Sequence, residues 1–471
     1  MTAMAIVGWG SSVPRFQLTG AAVSAILGSG GRKSRAVAGP DEDTTTLAVS
    51  AARAARASLP AYVPDSVVVA TSTPAYHVKS CAGTLHAALS LAPTCRAVDA
   101  GPSTRSGVTA LIGALESTIT SLVIGSDTRV ERAGSPAELD GGDAAVAFLV
   151  GSPDLHRPIA TLAGTASVTV ETLDRWQLPA DRFGVQADER STEGTLLDAV
   201  EDALTALFPT DERAVDILVV SSEHKRVRTT VQARTKIKAQ RTLTSLDGLG
   251  CAGAADVGLL LAHALENSTS GERILVVSVA DGVDLLLLDV VADGSTNTAK
   301  TVAQQVSDAR CDLPYQTYLG WRGLLERDAG RRPPLAPPAP VPAMRSVHWK
   351  YGLVGGRCRK CDTVQLPPER VCRSCGAVDA MDDYPVADRL ATVRQVTTDW
   401  LAWSPNPPLI QAVIAFDGGG QLRCEVADVF DGDVRAGDRV AMSFRVLRTV
   451  DSIHNYFWKA VPVVNAKEDT E

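Results

Sequence analysis

The chain has 471 residues and a formal net charge of −8, with Lys and Arg together numbering 46 against 54 Asp and Glu. At about 100–200 residues per domain this length predicts two to four domains with sizeable cores. The mild acidity and the lack of a long basic run exclude a nucleic-acid partner, whose phosphates would be held by Lys and Arg.

No membrane span is expected. The longest apolar stretches, such as 274–279 and 285–291, have strand length, far short of the ~20 residues a bilayer requires. Residues 1–10 carry no basic region before their apolar positions, so they read as the start of a fold and not as a secretion signal. Nine cysteines, four of them in one tight cluster, point to metal binding in a reducing cytoplasm and not to a disulfide framework.

From residue 1 to 295, short apolar strands alternate with Ala-rich helices. Strands are predicted at 5–8, 66–70, 121–125, 144–150, 216–220, 273–279 and 285–291. Helices are predicted at 44–57, 80–91, 107–117, 193–207 and 255–266, the first capped by the acidic run Asp41–Asp43. Continuous apolar strands interleaved with helices indicate an α/β fold with the sheet covered on both faces. The pattern occurs twice: an acidic residue, an apolar run and small hydroxylated residues appear at 64–73 and again at 215–223, so a duplicated architecture is expected. The expected domains are therefore 1–152 and 153–330, the second ending in a helix around Tyr318-Leu-Gly-Trp-Arg322 that packs on the first domain.

The run 331–343 (RRPPLAPPAPVPA) is predicted to be a stiff extended linker, because proline fixes φ and lacks a backbone donor. A short helix at 347–353 and a cysteine cluster follow, giving a domain at 344–384. Residues 385–471 show short alternating strands separated by glycine turns at Gly418–Gly420, Gly432 and Gly437, which predicts a small β-barrel. The cysteines fall as C-x2-C, ten residues, C-x2-C: Cys358, Cys361, Cys372 and Cys375. Two such knuckles place four thiolates around one tetrahedral Zn²⁺, a closed and structural arrangement with no open position for catalysis. Arg359, Lys360 and Arg373 sit inside the knuckles, where they are expected to offset the charge of the tetrathiolate.

Several stretches resemble the thiolase-fold condensing enzymes, most closely the archaeal and bacterial 3-hydroxy-3-methylglutaryl-CoA synthases, relatives of ketoacyl synthase III. They are Ile6-Val-Gly-Trp-Gly10, Asp41-Glu-Asp-Thr-Thr45, Tyr76-His-Val-Lys79, Leu122-Val-Ile-Gly-Ser-Asp127 and Gly253-Ala-Ala255. Residues 344–465, with the run from Gly356 through Leu366-Pro-Pro368 to Cys372, resemble the zinc-ribbon plus OB-fold proteins that accompany thiolases. The resemblance implies a duplicated five-layer thiolase-like α/β fold followed by a zinc ribbon and a small OB-fold β-barrel. It further implies a homodimer, a CoA thioester as ligand, and a thiolase-like or other condensing-enzyme partner. Such synthases acylate a Cys thiolate, polarise carbonyl oxygens with His and Asn, and use a Glu as acid and base.

At the positions matching those four groups this sequence holds Thr104 for Cys, Ser221 for His, Ser72 for Glu and Leu249 for Asn. A threonine hydroxyl needs an adjacent base to attack a thioester, and the base is replaced as well. Substitutes are conceivable. Ser103, Thr104 or Ser106 offers a hydroxyl. His224 reads either as a base or as a solvated neighbour of Lys225 and Arg226, and Cys251 either as a pocket thiol or as a packing residue. His77 lies next to the former Glu loop, and Cys81 opens a helix whose amino terminus would lower its pKa. Two expectations follow: a degenerate homologue acting as a non-catalytic or accessory subunit, or an active acyltransferase or C–C bond enzyme on acyl-CoA or acyl-carrier-protein substrates with a relocated nucleophile.

Overall fold

The computed structural model describes residues 4–210, 213–294, 300–308, 311–326, 337–430 and 434–463. The chain divides into two compact units: Met1–Gly39, Asp43–Leu85 and Ala92–Leu324 form the first; Pro40–Glu42, His86–Leu91 and Leu325–Glu471 form the second.

The first unit is built on ten strands in the order Lys238–Leu243, Ala214–Ser222, Arg273–Val279, Gly282–Val290, Ala160–Thr169, Ala5–Ser12, Ala144–Gly151, Ser121–Asp127, Ser66–Ala70 and Arg96–Ala100. Numbered within each half, both halves read 3-2-4-5-1. In each, strands 3, 2 and 4 are parallel while 4, 5 and 1 are antiparallel. The halves meet where Ala5 and Ile6 face Thr161 and Ala160. The duplication expected from the two short apolar repeats is thus a repeat of the whole strand order.

Helices at corresponding places in the halves, Ser106–Glu116 and Asp256–Glu266, share one core. Val108, Leu111 and Leu115 from one and Val257, Leu261 and Leu265 from the other pack among Val123, Val146, Phe148, Val219 and Val276. Their approach depends on small residues: a Cβ on Gly107 would lie 2.1 Å from the Ala254 carbonyl oxygen. Helix Glu189–Leu207 buries Leu196, Val200 and Leu204 in a separate core with Leu218, Val220, Leu275 and Val277. Of the acidic run, Asp43 caps helix Thr44–Ser58: its side chain accepts from the Thr46 N–H and the Thr46 hydroxyl side chain accepts from the Asp43 N–H.

The helix around Tyr318 spans Tyr315–Trp321 and belongs to the first unit. Arg322 pairs with the buried Asp143, which also holds Arg35 at 2.7 Å, and the Tyr315 hydroxyl donates to Glu138 Oε2 at 3.0 Å.

The prolines need a correction. Residues 331–336 of the expected linker lie outside the described residues, but Pro340–Arg345 is helical, with Pro340 in the first turn. First-turn N–H groups have no intrahelical acceptor, so prolines there lose no hydrogen bond, and the reading of 331–343 as wholly extended fails at its end. Helix Val347–Tyr351 follows.

In the second unit, strands Val364–Gln365, Val354–Cys358 and Met381–Pro385 form the ribbon. The remaining strands make a five-stranded antiparallel sheet ordered Gln421–Glu425, Leu409–Phe416, Ala391–Asp399, Arg439–Val450 and Ile453–Pro462. Among the described residues one bridge, from Val426 just after Gln421–Glu425 to Ala460, joins the outer edges, so the sheet curls without a continuous ladder closing it into the expected barrel. Phe444, Tyr456 and Trp458 form its aromatic centre, with ring centroids 5.4 Å apart from Phe444 to each neighbour. The turn Gly418–Gly420 has φ of 87°, 105° and 92°, which only glycine adopts without strain; Gly432 lies outside the described residues.

Candidate active site and metal centre

The metal centre is assembled by the ribbon. Cys358 ends the strand Val354–Cys358, and the Sγ atoms of Cys358, Cys361, Cys372 and Cys375 all lie within 4.8 Å of one another. That spacing fits one tetrahedral ion with Zn–S bonds of ~2.3 Å. The Lys360 N–H donates to Cys358 Sγ at 3.4 Å, an amide turned toward sulfur as a thiolate requires. The arginines inside the knuckles do not serve the sulfurs as expected: Arg359 pairs with Asp382 at 2.6 Å and Arg373 with Glu369 at 2.5 Å. Exposed carboxylates outcompete the thiolates for these long side chains.

Three of the positions matching the condensing-enzyme groups lie about the turn from Leu249 to Asp256: Leu249 in it, Ser221 bonded to Asp256, and Ser72 through Asp127. Asp127, at the end of strand Ser121–Asp127, is fully buried and accepts six hydrogen bonds: from the Thr71, Ser72 and Thr73 hydroxyls and from the Ser72, Thr73 and Ala254 amides, at 2.7–2.9 Å. Gly253 has φ +57°, and a Cβ there would lie 2.0 Å from Asp127 Oδ2. The Ser72 hydroxyl is therefore a structural donor within the first half, and Asp127 reaches the second half through the Ala254 amide.

Ser221 repeats the arrangement. Its Oγ donates to Asp256 Oδ2 at 2.6 Å, while Asp256 Oδ1 accepts from the Ala252 N–H at 3.2 Å. Burial raises the Asp256 pKa above the usual carboxylate value, against the pull of the Ser221 hydrogen bond. Leu249 is 2% exposed and belongs to the core; it has no group to polarise a carbonyl.

The substitutes fare no better. His224 is buried, not solvated: it caps helix Lys225–Thr235, with Nδ1 accepting from the Val227 N–H at 3.3 Å and Nε2 donating to the Glu189 carbonyl at 2.7 Å. Both ring nitrogens are occupied, so no basic site is left. The Cys251 thiol is pushed far above its usual pKa by burial and by the charges of Asp256 and Glu223, which leaves it protonated and a poor nucleophile. Burial likewise raises Cys81, overriding the helix-terminus effect expected there. His77 is exposed. Thr104 is half-buried in the turn before helix Ser106–Glu116, its hydroxyl without a hydrogen-bond partner among the described residues; Ser103 Oγ accepts from the Arg105 N–H at 3.4 Å.

Sequence reasoning missed the carboxylates. Asp256, and the ring formed by Arg129, Glu131, Arg175 and Glu223, were not singled out, although Glu223 stands two residues after Ser221. Arg175 binds Glu131 at 2.6 Å and Glu223 at 2.7 Å, and Arg129 closes the ring through the same two acids. Burial alone would raise the Glu223 pKa, but the two guanidinium groups hold it below the usual range, so it is a fixed anion and a weak base. Asp127→Ala is expected to cost upward of ~3 kcal/mol in urea unfolding of the first unit, since it leaves several buried donors unpaired at about 1–3 kcal/mol each. A loss below ~1 kcal/mol would contradict a structural role for the carboxylate.

Comparison with known proteins places these features. Residues 350–379 match the ChsH2, rubredoxin-like zinc ribbon domain. The chain is 24% identical over 353 residues to the hydroxymethylglutaryl-CoA synthase of Methanococcus maripaludis, covering 69% of this chain and 99% of that protein. It is 26% identical over 327 residues to that of Pyrococcus furiosus, covering 65% and 92%. Among solved structures, MvaS in complex with 3-hydroxy-3-methylglutaryl coenzyme A aligns with a TM-score of 0.57 at 20% identity, covering 71% of this chain and 95% of that one. The 3-oxoacyl-(acyl carrier protein) synthase III of Pseudomonas aeruginosa aligns at 0.54 and 21%, covering 62% and 98%. The curacin pathway HMG synthase in complex with acetyl donor-ACP aligns at 0.58 and 19%, covering 68% and 88%. The chain is thus similar to hydroxymethylglutaryl-CoA synthases over about two thirds of its length, has a thiolase-like fold, and carries a zinc ribbon.

Proposed function

We propose that this protein is an acyl-CoA-associated, degenerate condensing-enzyme homologue that works as a non-catalytic or accessory subunit for a thiolase, acyltransferase or aldolase partner. One observation carries the reading: both serines at the acid–base positions give their hydroxyl protons to buried carboxylates, Ser72 to Asp127 and Ser221 to Asp256. Neither the Cys251 thiol, held protonated by burial, nor the His224 ring, occupied at both nitrogens, takes their place. CoA thioesters are the ligand class of the similar synthases, and a relative that engages an acyl carrier protein makes a carrier-bound acyl group a second source of the same thioester. The thiol-rich metal centre suits a reducing cytoplasm, and the curled five-stranded sheet suits an OB-type barrel. The test is reconstitution. Condensing or cleaving activity should appear only when a thiolase-type partner, co-purified from the native host, is added, and Thr104→Ala should leave it unchanged. Activity of the isolated chain that Thr104→Ala abolishes would favour the alternative, an active enzyme with a hydroxyl nucleophile.

The reading includes a homodimer through the edge strand Arg96–Ala100. Among the described residues it pairs only with Ser66–Ala70, and its residues 96–99 are exposed. The Arg96 N–H and the Ala100 carbonyl face that neighbour, which leaves the Ala97 and Asp99 backbone groups pointing outward. Sedimentation should give twice the chain mass, and Ala97→Pro, which removes an outward donor, should give a monomer. A wild-type monomer would contradict the assignment.

A further inference from the structure

Within the second unit, two cations face one another without an acid. Lys350, on helix Val347–Tyr351, is half-buried, and its Nζ donates to Asn455 Oδ1 at 3.3 Å. Asn455 is the cross-strand partner of Arg448 in the hairpin of Arg439–Val450 and Ile453–Pro462, so the three side chains converge. Among the described residues neither Lys350 nor Arg448 has a carboxylate partner. Six other arginines of the unit, Arg357, Arg359, Arg370, Arg373, Arg439 and Arg445, each pair with an Asp or Glu. Burial, and then the charge of Arg448, pull the Lys350 pKa below its usual value. An ammonium disfavoured on both counts gains from an anion placed between the two. Beside it, Trp349 and Phe457 are both half-exposed, with ring centroids 5.6 Å apart at 72°. Asn455, its Oδ1 occupied by Lys350, keeps its NH2 as a third donor.

We infer that Lys350, Arg448 and Asn455, together with the Trp349–Phe457 ring pair, form a nucleotide-phosphate site that takes the phosphorylated adenosine end of a CoA thioester. Two cations and an amide suit a phosphate ester, and a half-exposed ring pair offers a surface on which a purine stacks. A simple carboxylate would use the cations and leave the rings idle. The inference rests on the acyl-CoA reading above and gives it a location.

The test is calorimetric titration of the full chain with CoA, with adenosine 3′,5′-bisphosphate and with inorganic phosphate. CoA and the bisphosphate should bind, more weakly as salt rises, and both more tightly than inorganic phosphate. Lys350→Ala and Arg448→Glu should each weaken CoA binding about tenfold or more, the scale of a lost hydrogen bond to a charged group. Arg423→Ala, on the strand at the opposite edge of the sheet, should leave it unchanged, and unaltered zinc content should show that each variant is folded. CoA binding that survives both variants would overturn the site while leaving the acyl-CoA reading intact. No CoA binding by the wild type would overturn both. A bisphosphate that binds no better than inorganic phosphate would overturn the nucleotide assignment.

Discussion

Cys372→Ser is expected to release the metal and unfold the ribbon while the first unit stays folded. The apolar core around the sulfurs consists of little more than Cys358, Cys372, Ala377, Ala380 and Met381, far too small to hold three short strands by burial alone. A structural zinc supplies about 10–16 kcal/mol in such ribbons, more than a whole small domain's net stability. Elemental analysis of chelator-free protein should give one zinc per chain, tetrahedral in sulfur. Hydrogen exchange in the variant should lose protection at residues 354–385 and keep it across the ten-stranded sheet. A zinc-free wild type, or a variant whose ribbon stays protected, would contradict the assignment.

Much of this architecture was legible because burial writes a clear pattern. The strands Ser66–Ala70, Ser121–Asp127 and Arg273–Val279 are apolar runs covered on both faces, and the cysteine spacing states the metal chemistry outright. Arg96–Ala100 and Lys238–Leu243 escaped detection because they are edge strands with exposed, charged side chains. Ala160–Thr169 escaped because small and hydroxylated residues carry little hydrophobic signal. At the candidate site the resemblance implied which positions carry the family's groups, but nothing local in the sequence told what the side chains at those positions bind. Asp127 and Asp256 are distant in the chain from the serines they bind, and a hydrogen bond across 55 or 35 residues has no local signature. His224 illustrates the same limit: its neighbours Lys225 and Arg226 suggest solvent, whereas its ring closes a helix terminus.

The largest effect concerns catalysis. A single general acid or base contributes about 10²–10⁴-fold, and an oxyanion donor a similar factor. On the proposed reading the thiolate, the imidazole, the carboxylate and the amide are all replaced, and Asp127 and Asp256 are engaged as acceptors. Groups that act as a unit do not contribute additively, but loss of the whole unit leaves little above background. The isolated chain is therefore expected to show no hydroxymethylglutaryl-CoA synthase, thiolase or ketoacyl synthase turnover. Thr104→Cys alone should not restore it, because among the described residues no base is hydrogen-bonded to that position to form the thiolate. The most direct measurement is intact and peptide mass spectrometry of the pure protein after incubation with acetyl-CoA and longer acyl-CoAs. The account predicts an unshifted mass; a stable acyl increment mapped to Ser103, Thr104, Ser106 or Cys251, and lost when that residue is replaced, would contradict it.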